Sequence, residues 1–225
     1  ANPTTLHATT NYEAYKGLWS SLNDGNYFEI AYTLQRQFGE AGIYKHLNLY
    51  NFVDNHDVNR AASQLSNPQH LYLLYALLFS MPGIPSVYYG SEWGLAGSRT
   101  PQSDTALRPA LNLHQYIQSA PQPTLPAAIQ HLAAIRRATP ALSAGMYQQE
   151  HVAAQQFAFW RKLANQQVLV VLNSSPDAQR MQFSSIPEHT QIRSLLSDES
   201  CYHLHNSSLE LEIPAYKACM LAFDL

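Results

Sequence analysis

The residues best suited to chemistry stand together in "YNFVDNHDVNR", residues 50–60. An apolar run ends at Asp54, and Asn55, His56 and Asp57 follow in a row. A carboxylate just past a buried strand is partly desolvated. Next to an imidazole it can hold the ring or accept hydrogen bonds from ligand hydroxyls. Asp57 is equally placed to cap a following helix, and spacing does not separate the two roles. His56 can donate to a hydroxyl, act as an acid or base, or fill a partly buried corner. Asn55 and Arg60 are open in the same way, since Arg60 can simply pair with an acid at the start of the next helix.

A second carboxyl group, Glu92, follows "IPSVYYG" (84–90). Paired with Asp57 across neighbouring strand ends, it would fit the roughly 5–10 Å geometry of glycoside hydrolysis. It would also serve as an anchor for the loop behind it. Tyr12, Tyr88, Tyr89 and Trp93 place aromatic rings near the same face. Such rings suit a sugar platform, and they also fill space between a sheet and its helices.

Hydrophobic patterning says what positions these residues. "TTLHATTNY" (4–12) reads as a strand. Phe28, Ile30, Ala31, Leu34 and Phe38 recur at helical spacing ahead of Gly39. "LNLYNFVD" (47–54) reads as a buried strand. "SNPQHLYLLYALLFSM" predicts a helix capped by Ser66 or Asn67, with Pro68 near its first position. That helix is apolar nearly all round and belongs inside a larger structure. Residues 84–90 predict another strand, and 91–124 an irregular, polar, functional loop. A helix from near Pro126 must end before Pro140. Beyond residue 145, "QQFAFWRKL", "QVLVVLN", "RMQFSSI", "QIRSLLS", "LELEI" and "ACMLAFDL" predict short strands of a small antiparallel β domain. In parallel α/β proteins, functional groups gather at the carboxyl ends of strands. The clusters at 11–13, 55–57 and 88–92 would then open onto one face.

Composition narrows the function classes. Only 13% of the 225 residues are charged, about half the usual share of roughly 25%. The net charge is −3 and the densest basic cluster is the pair Arg136-Arg137, so no nucleic-acid partner is expected. Cys201 and Cys219 form no CxxC motif, and the ten His form no HExxH, so no metal is expected. Two thiols in such a chain are more often buried and separate than bridged. The longest apolar run, 71–81, is too short for a bilayer, so no membrane partner is expected. The first residues lack the basic and apolar regions of a signal peptide. The chain lacks an initiator Met, which leaves open whether Ala1 is a natural start.

The segments together resemble a known family. "FVDNHDVNR" resembles the seventh-strand motif of the alpha-amylase family of glycoside hydrolases. "MPGIPSVYYGSEWGL" looks like its eighth-strand segment and "TTNYEAYKGLWSS" its sixth. "IQHLAAIRRATPALSAG" is similar to the last barrel helix, and "QFAFWRKL" with "VLVVLN" to the opening hairpin of the C-terminal β domain. The resemblance implies an α/β fold: strands six to eight of a TIM (β/α)8 barrel over 1–143, then an antiparallel β-sandwich over 144–225. It implies a retaining enzyme acting on α-glucosidic linkages of starch or maltooligosaccharides. By the same resemblance Asp57 is the catalytic-site carboxylate that binds sugar hydroxyls, and His56 a neighbouring hydroxyl donor. Asn55 and Arg60 stand as further substrate-binding candidates, with Glu92 and Tyr12 as outer ones.

No Arg-x-Asp strand end and no Glu-bearing fifth strand are found, so the family's nucleophile and acid/base are missing and the chain is expected to be inactive alone. The alternative is a non-catalytic carbohydrate-binding or interaction module derived from an amylase. A small-molecule enzyme built on Asp57 and Glu92 has no motif behind it. No cofactor is expected in this chain, with calcium left to a full-length protein. The partners expected are an α-glucan or maltooligosaccharide and either a missing N-terminal half-barrel or a second copy of the chain. Location is left open, with the cytoplasm favoured over export.

Overall fold

The computed structural model describes residues 4–184, 186–187, 191–196, 201–205 and 208–225. The chain opens with two packed helices, α1 (Tyr12–Asn23) and α2 (Phe28–Phe38). Asn11 caps α1 by accepting from the Ala14 amide at 3.2 Å. The two helices approach closely at Gly17, where an added Cβ would lie 3.2 Å from the Ile30 Cα. After α2 stops at Gly39, β1 (Tyr50–Phe52) runs into the DNHD stretch. The short α3 (Ala61–Gln64) follows, then α4 (His70–Ser80) and β2 (Ile84–Ser86). The predicted irregular region holds two single 3-10 turns, Ser91–Trp93 and Thr105–Leu107, and α5 (Leu113–Ile117). Next come α6 (Leu125–Ala138) and α7 (Pro140–Ala144), separated at Thr139 as the Pro140 constraint requires.

β1 and β2 pair in parallel, Tyr50 opposite Ile84 and Phe52 opposite Ser86. The strand expected over 4–12 is reduced to isolated bridge positions at Leu6 and Thr10, the latter parallel to Tyr50, because Asn11 turns the chain at once into α1. Its position beside β1 is nevertheless fixed by a buried amide network. The Asn11 side chain donates to Gln37 (2.9 Å) and Asn51 (2.8 Å), and Asn51 donates to the Pro82 carbonyl (2.7 Å). Gly83, at φ +104°, lets the chain enter β2 where a side chain would collide with Asn51 and the Leu49 carbonyl. Helix α4 is buried on every side except Tyr72. Its carboxyl end carries no basic residue of its own. Two arginines from elsewhere supply the charge: Arg136 donates to the Phe79 and Met81 carbonyls, and Arg161 to the Ser80 carbonyl.

Strands take over at Met146. They are β3 (Met146–Ala153), β4 (Gln156–Lys162), β5 (Gln166–Asn173), β6 (Gln179–Phe183), β7 (Gln191–Ser194), β8 (Cys201–His205), β9 (Ser208–Ile213) and β10 (Lys217–Asp224). β3 and β8 were not among the strands expected from the sequence. All pair antiparallel, in a five-stranded sheet ordered β3-β4-β5-β10-β7 and a three-stranded sheet ordered β6-β9-β8. Alternation sends Val168, Val170 and Leu172 of β5 into the core shared with the helices. Leu169 and Val171 point the other way, against Leu209, Leu211 and Ile213 of β9. The larger sheet is therefore sandwiched between helices and the smaller sheet, which is why "QVLVVLN" is apolar without a gap. Cys219 is buried in the second core. The side chain of Cys201 lies outside the described residues, and with it the expectation about a bridge.

Candidate functional site

The chain from 54 to 60 leaves the carboxyl end of β1 and splits its polar side chains between two environments. Asp54 is buried, and its Oδ2 accepts from the Ala61 amide at 2.8 Å and the Ser91 hydroxyl at 2.7 Å. The helix-start role weighed for Asp57 is thus taken by Asp54, at the first residue of α3. Burial raises the Asp54 carboxyl above the ordinary carboxylate range, with Ala61, Ser91 and Arg60 pulling the other way. Arg60 is fully buried. It donates to the carbonyls of Tyr89 (2.6 Å) and Leu107 (2.7 Å) and to Ser91 (3.0 Å), and its guanidinium lies 4.1 Å from the Tyr88 ring centre. It ties three loops together behind the surface instead of presenting donors on it. Glu92 is half-buried on the 3-10 turn beside this group, and its charge acts on Asp54, Tyr75 and Tyr116.

Asn55, His56 and Asp57 face outward. Asn55 Oδ1 accepts from the amides of Asp57 (2.8 Å) and Val58 (3.2 Å), a side-chain turn that bends the backbone and throws the next two side chains into the open. Its amide group donates to the Tyr12 hydroxyl at 3.2 Å. Tyr12 packs edge-on against Phe52, with ring centres 5.0 Å apart. His56 Nε2 lies 3.3 Å from Asp57 Oδ2, and Arg108 Nη2 lies 3.6 Å from Asp57 Oδ1. Arg108 also donates to the His56 carbonyl (3.1 Å) and pairs with Asp104 at 2.6 Å. Arg99 donates to the Asp57 carbonyl (3.3 Å). The Asp57 side chain is 53% exposed.

This arrangement can present a carboxylate, an imidazole, a phenol and a guanidinium to one polyhydroxylated ligand. Sequence reasoning found Tyr12, Asn55, His56 and Asp57, which the fold brings together. It missed Arg99, Asp104 and Arg108, whose single signal is an Asp-x3-Arg spacing inside the irregular loop. Among the described residues, no three His, Cys, Asp or Glu gather to hold a metal ion, and no helix is long and apolar enough to cross a membrane.

The alpha amylase catalytic domain matches residues 6–162, well over half the chain, and the alpha amylase C-terminal all-beta domain matches 147–224. The chain belongs to the alpha-amylase family. A cyclomaltodextrin glucanotransferase of Geobacillus stearothermophilus is 29% identical over 129 residues, covering 57% of this chain and 17% of that protein. An alpha-amylase of Niallia circulans is 27% identical over 124 residues, covering 55% and 22%. The alpha-amylase of Geobacillus thermoleovorans, solved in complex with acarbose, superposes with a TM-score of 0.83 at 19% identity, over 98% of this chain and 48% of that one. An Anoxybacillus alpha-amylase superposes with a TM-score of 0.82 at 20% identity, over 96% and 47%. At such identities the superpositions establish the fold alone. The chain spans about a fifth of the curated relatives it matches and just under half of these solved structures.

Proposed function

We propose that the chain is the C-terminal portion of an enzyme that cleaves or transfers α-glucosidic linkages of starch or maltooligosaccharides. Residues 1–143 are its last barrel strands with their helices, and 144–225 its β-sandwich domain. Asp57 is the supporting carboxylate of the sugar subsite, and His56 the adjacent hydroxyl donor. The nucleophile and the acid/base of a retaining reaction lie outside this chain. The observation that carries the reading is the Asp57 carboxylate itself. It stands at the carboxyl end of β1 with His56 and Arg108 on its two oxygens, yet it is half open to water. A half-exposed carboxylate with donors arranged around it fits one side of a cleft.

The chemistry asked of it is positional. Asp57 accepts hydrogen bonds from hydroxyls of the bound sugar, and His56 donates one. Bonds that strengthen as the ring becomes oxocarbenium-like contribute several kcal/mol, and they accelerate the reaction only by that difference. Asn55 holds the turn that aims both groups. Arg60 acts behind the surface as a positioning residue.

The test is complementation. Residues 1–225 alone should release no reducing sugar from maltoheptaose. Joined to an upstream segment that carries an Asp nucleophile and a Glu acid/base on a fourth and fifth strand, they should become active. Turnover by residues 1–225 alone, lost in Asp57→Ala, would overturn the division of labour proposed here. Binding of maltoheptaose without any gain of activity on complementation would favour the non-catalytic carbohydrate-binding module instead.

A further inference from the structure

Away from the DNHD face, a cleft of about 270 Å³ opens between the loop after α2, the start of β2 and the junction of α7 with β3. Lys45, His46, Asn48, Ser143, Tyr147 and Arg161 give it its polar lining, and no Asp or Glu belongs to that lining. Glu40 lines the adjoining groove, which shares Met146 and Tyr147 with the cleft.

The cations at its back are short of counter-charge. Arg161 is buried and, among the described residues, donates only to carbonyls, those of Gly145 (2.9 and 3.2 Å) and Ser80 (2.6 Å). Arg136 is also buried and donates to the carbonyls of Phe79, Met81 and Gly83, the last of which lines the cleft. Burial and the neighbouring Arg136 push the Arg161 guanidinium down to about 9, and burial pushes Arg136 down to about 10. The end of α4 that they cap supplies only about half a negative charge against two positive ones. Buried ions left without a counter-ion are costly. The Tyr147 hydroxyl adds a buried donor with no partner among the described residues.

We propose that this cleft binds a tetrahedral oxyanion, either free phosphate or the phosphate of a sugar monoester. Lys45 and His46 hold it from the rim, with the Arg161 and Arg136 charges behind it. The proposal does not rest on the sugar-cleaving reading of the DNHD face. A phosphate fits the volume, and flexible Lys and His side chains at the mouth adapt to a charge that arrives from water.

Calorimetry on the full chain tests this. Inorganic phosphate and glucose 6-phosphate are titrated separately, with ionic strength held constant by sodium chloride. Saturable binding of either is expected. It should weaken roughly tenfold or more in the double variant Lys45→Ala/His46→Ala, whose rim side chains are exposed and not part of the core. Arg180→Ala, on the three-stranded sheet, should leave it unchanged. Binding of the monoester alone would assign the site to a phosphorylated sugar, and binding of both to phosphate itself. No binding of either ligand, or equal binding by parent and double variant, would overturn the proposal. A matching rise in the melting temperature of the parent with phosphate, absent in the double variant, gives a second reading of the same outcome.

Discussion

Asp54 and Asp57 are three residues apart on one loop, yet they occupy opposite environments. Asp54 is buried, and its Oδ2 is spent on Ala61 and Ser91 while Oδ1 has no partner among the described residues. Asp57 is half exposed, and its neighbours His56 and Arg108 are themselves open to solvent. The same division separates Arg60 from Arg108. The buried pair closes the ends of loops 89–91 and 105–108 over β1, and the exposed pair stands on the platform so formed. A short motif therefore combines a foundation with a working surface. Substitutions in the two halves should differ in kind: exposed residues should change ligand handling with the fold intact, and buried ones the fold itself.

The largest effect is expected at Asp57. In the complemented enzyme, Asp57→Ala should lower kcat/KM by about a hundredfold or more, from the loss of charge-assisted bonds to sugar hydroxyls. Its stability to urea should stay within about 0.5 kcal/mol of the parent, because the side chain is more than half exposed and its ion pairs are open to solvent. A variant that loses activity and stability together would erase the distinction between the two halves.

Arg60→Met should reverse that pattern. Three loop acceptors lose their donor, and the Tyr88 ring loses its cation. A loss of about 3 kcal/mol in urea unfolding is expected. A cost below about 1 kcal/mol would mean that Arg60 is not the foundation. Asp54→Asn sharpens the same half through pH. The folded-state carboxyl is raised by burial, so its contribution to stability is complete below the unfolded value near ~3.9 and is lost as pH rises through the folded value. The parent should therefore lose stability relative to Asp54→Asn as pH climbs from about 4. A difference that is flat with pH, or of opposite sign, would show that Arg60 and Ser91 outweigh burial.

How far this was legible depends on what hides in a pattern. Helix α4 and strand β5 announce themselves because their apolar residues are continuous. Helix α1 does not: its buried face is built of Ala14, Gly17, Ser20 and Ser21 beside Leu18 and Leu22, and small residues blur the period. Strand β3 buries only Tyr147 and is otherwise too polar to alternate. At the site, the grouping of Asn55, His56 and Asp57 past a strand end was readable, but the turn that Asn55 makes with the Asp57 and Val58 amides was not. The burial of Arg60 was not. Arginine is seldom fully buried, and its acceptors are backbone carbonyls of Tyr89 and Leu107, which leave no mark on the sequence.

Arg108 provides the finest test of the comparison, because it stands on the boundary between the halves. Its Nε holds the His56 carbonyl, while its Nη2 is shared unequally, 2.6 Å from Asp104 and 3.6 Å from Asp57. Exposed ion pairs of this kind contribute roughly 0–1 kcal/mol. Arg108→Ala should therefore cost about 0.5 kcal/mol in urea unfolding. In calorimetry it should weaken maltoheptaose binding by only a few-fold, since the loop still orders Asp57 through Asn55. The residual effect should shrink with added salt, as the bond between partly exposed charges is screened over roughly 8–10 Å. If Arg108→Ala matched Asp57→Ala in its effect on binding, the guanidinium would be a ligand contact in its own right, and the working surface would extend across the 95–112 loop.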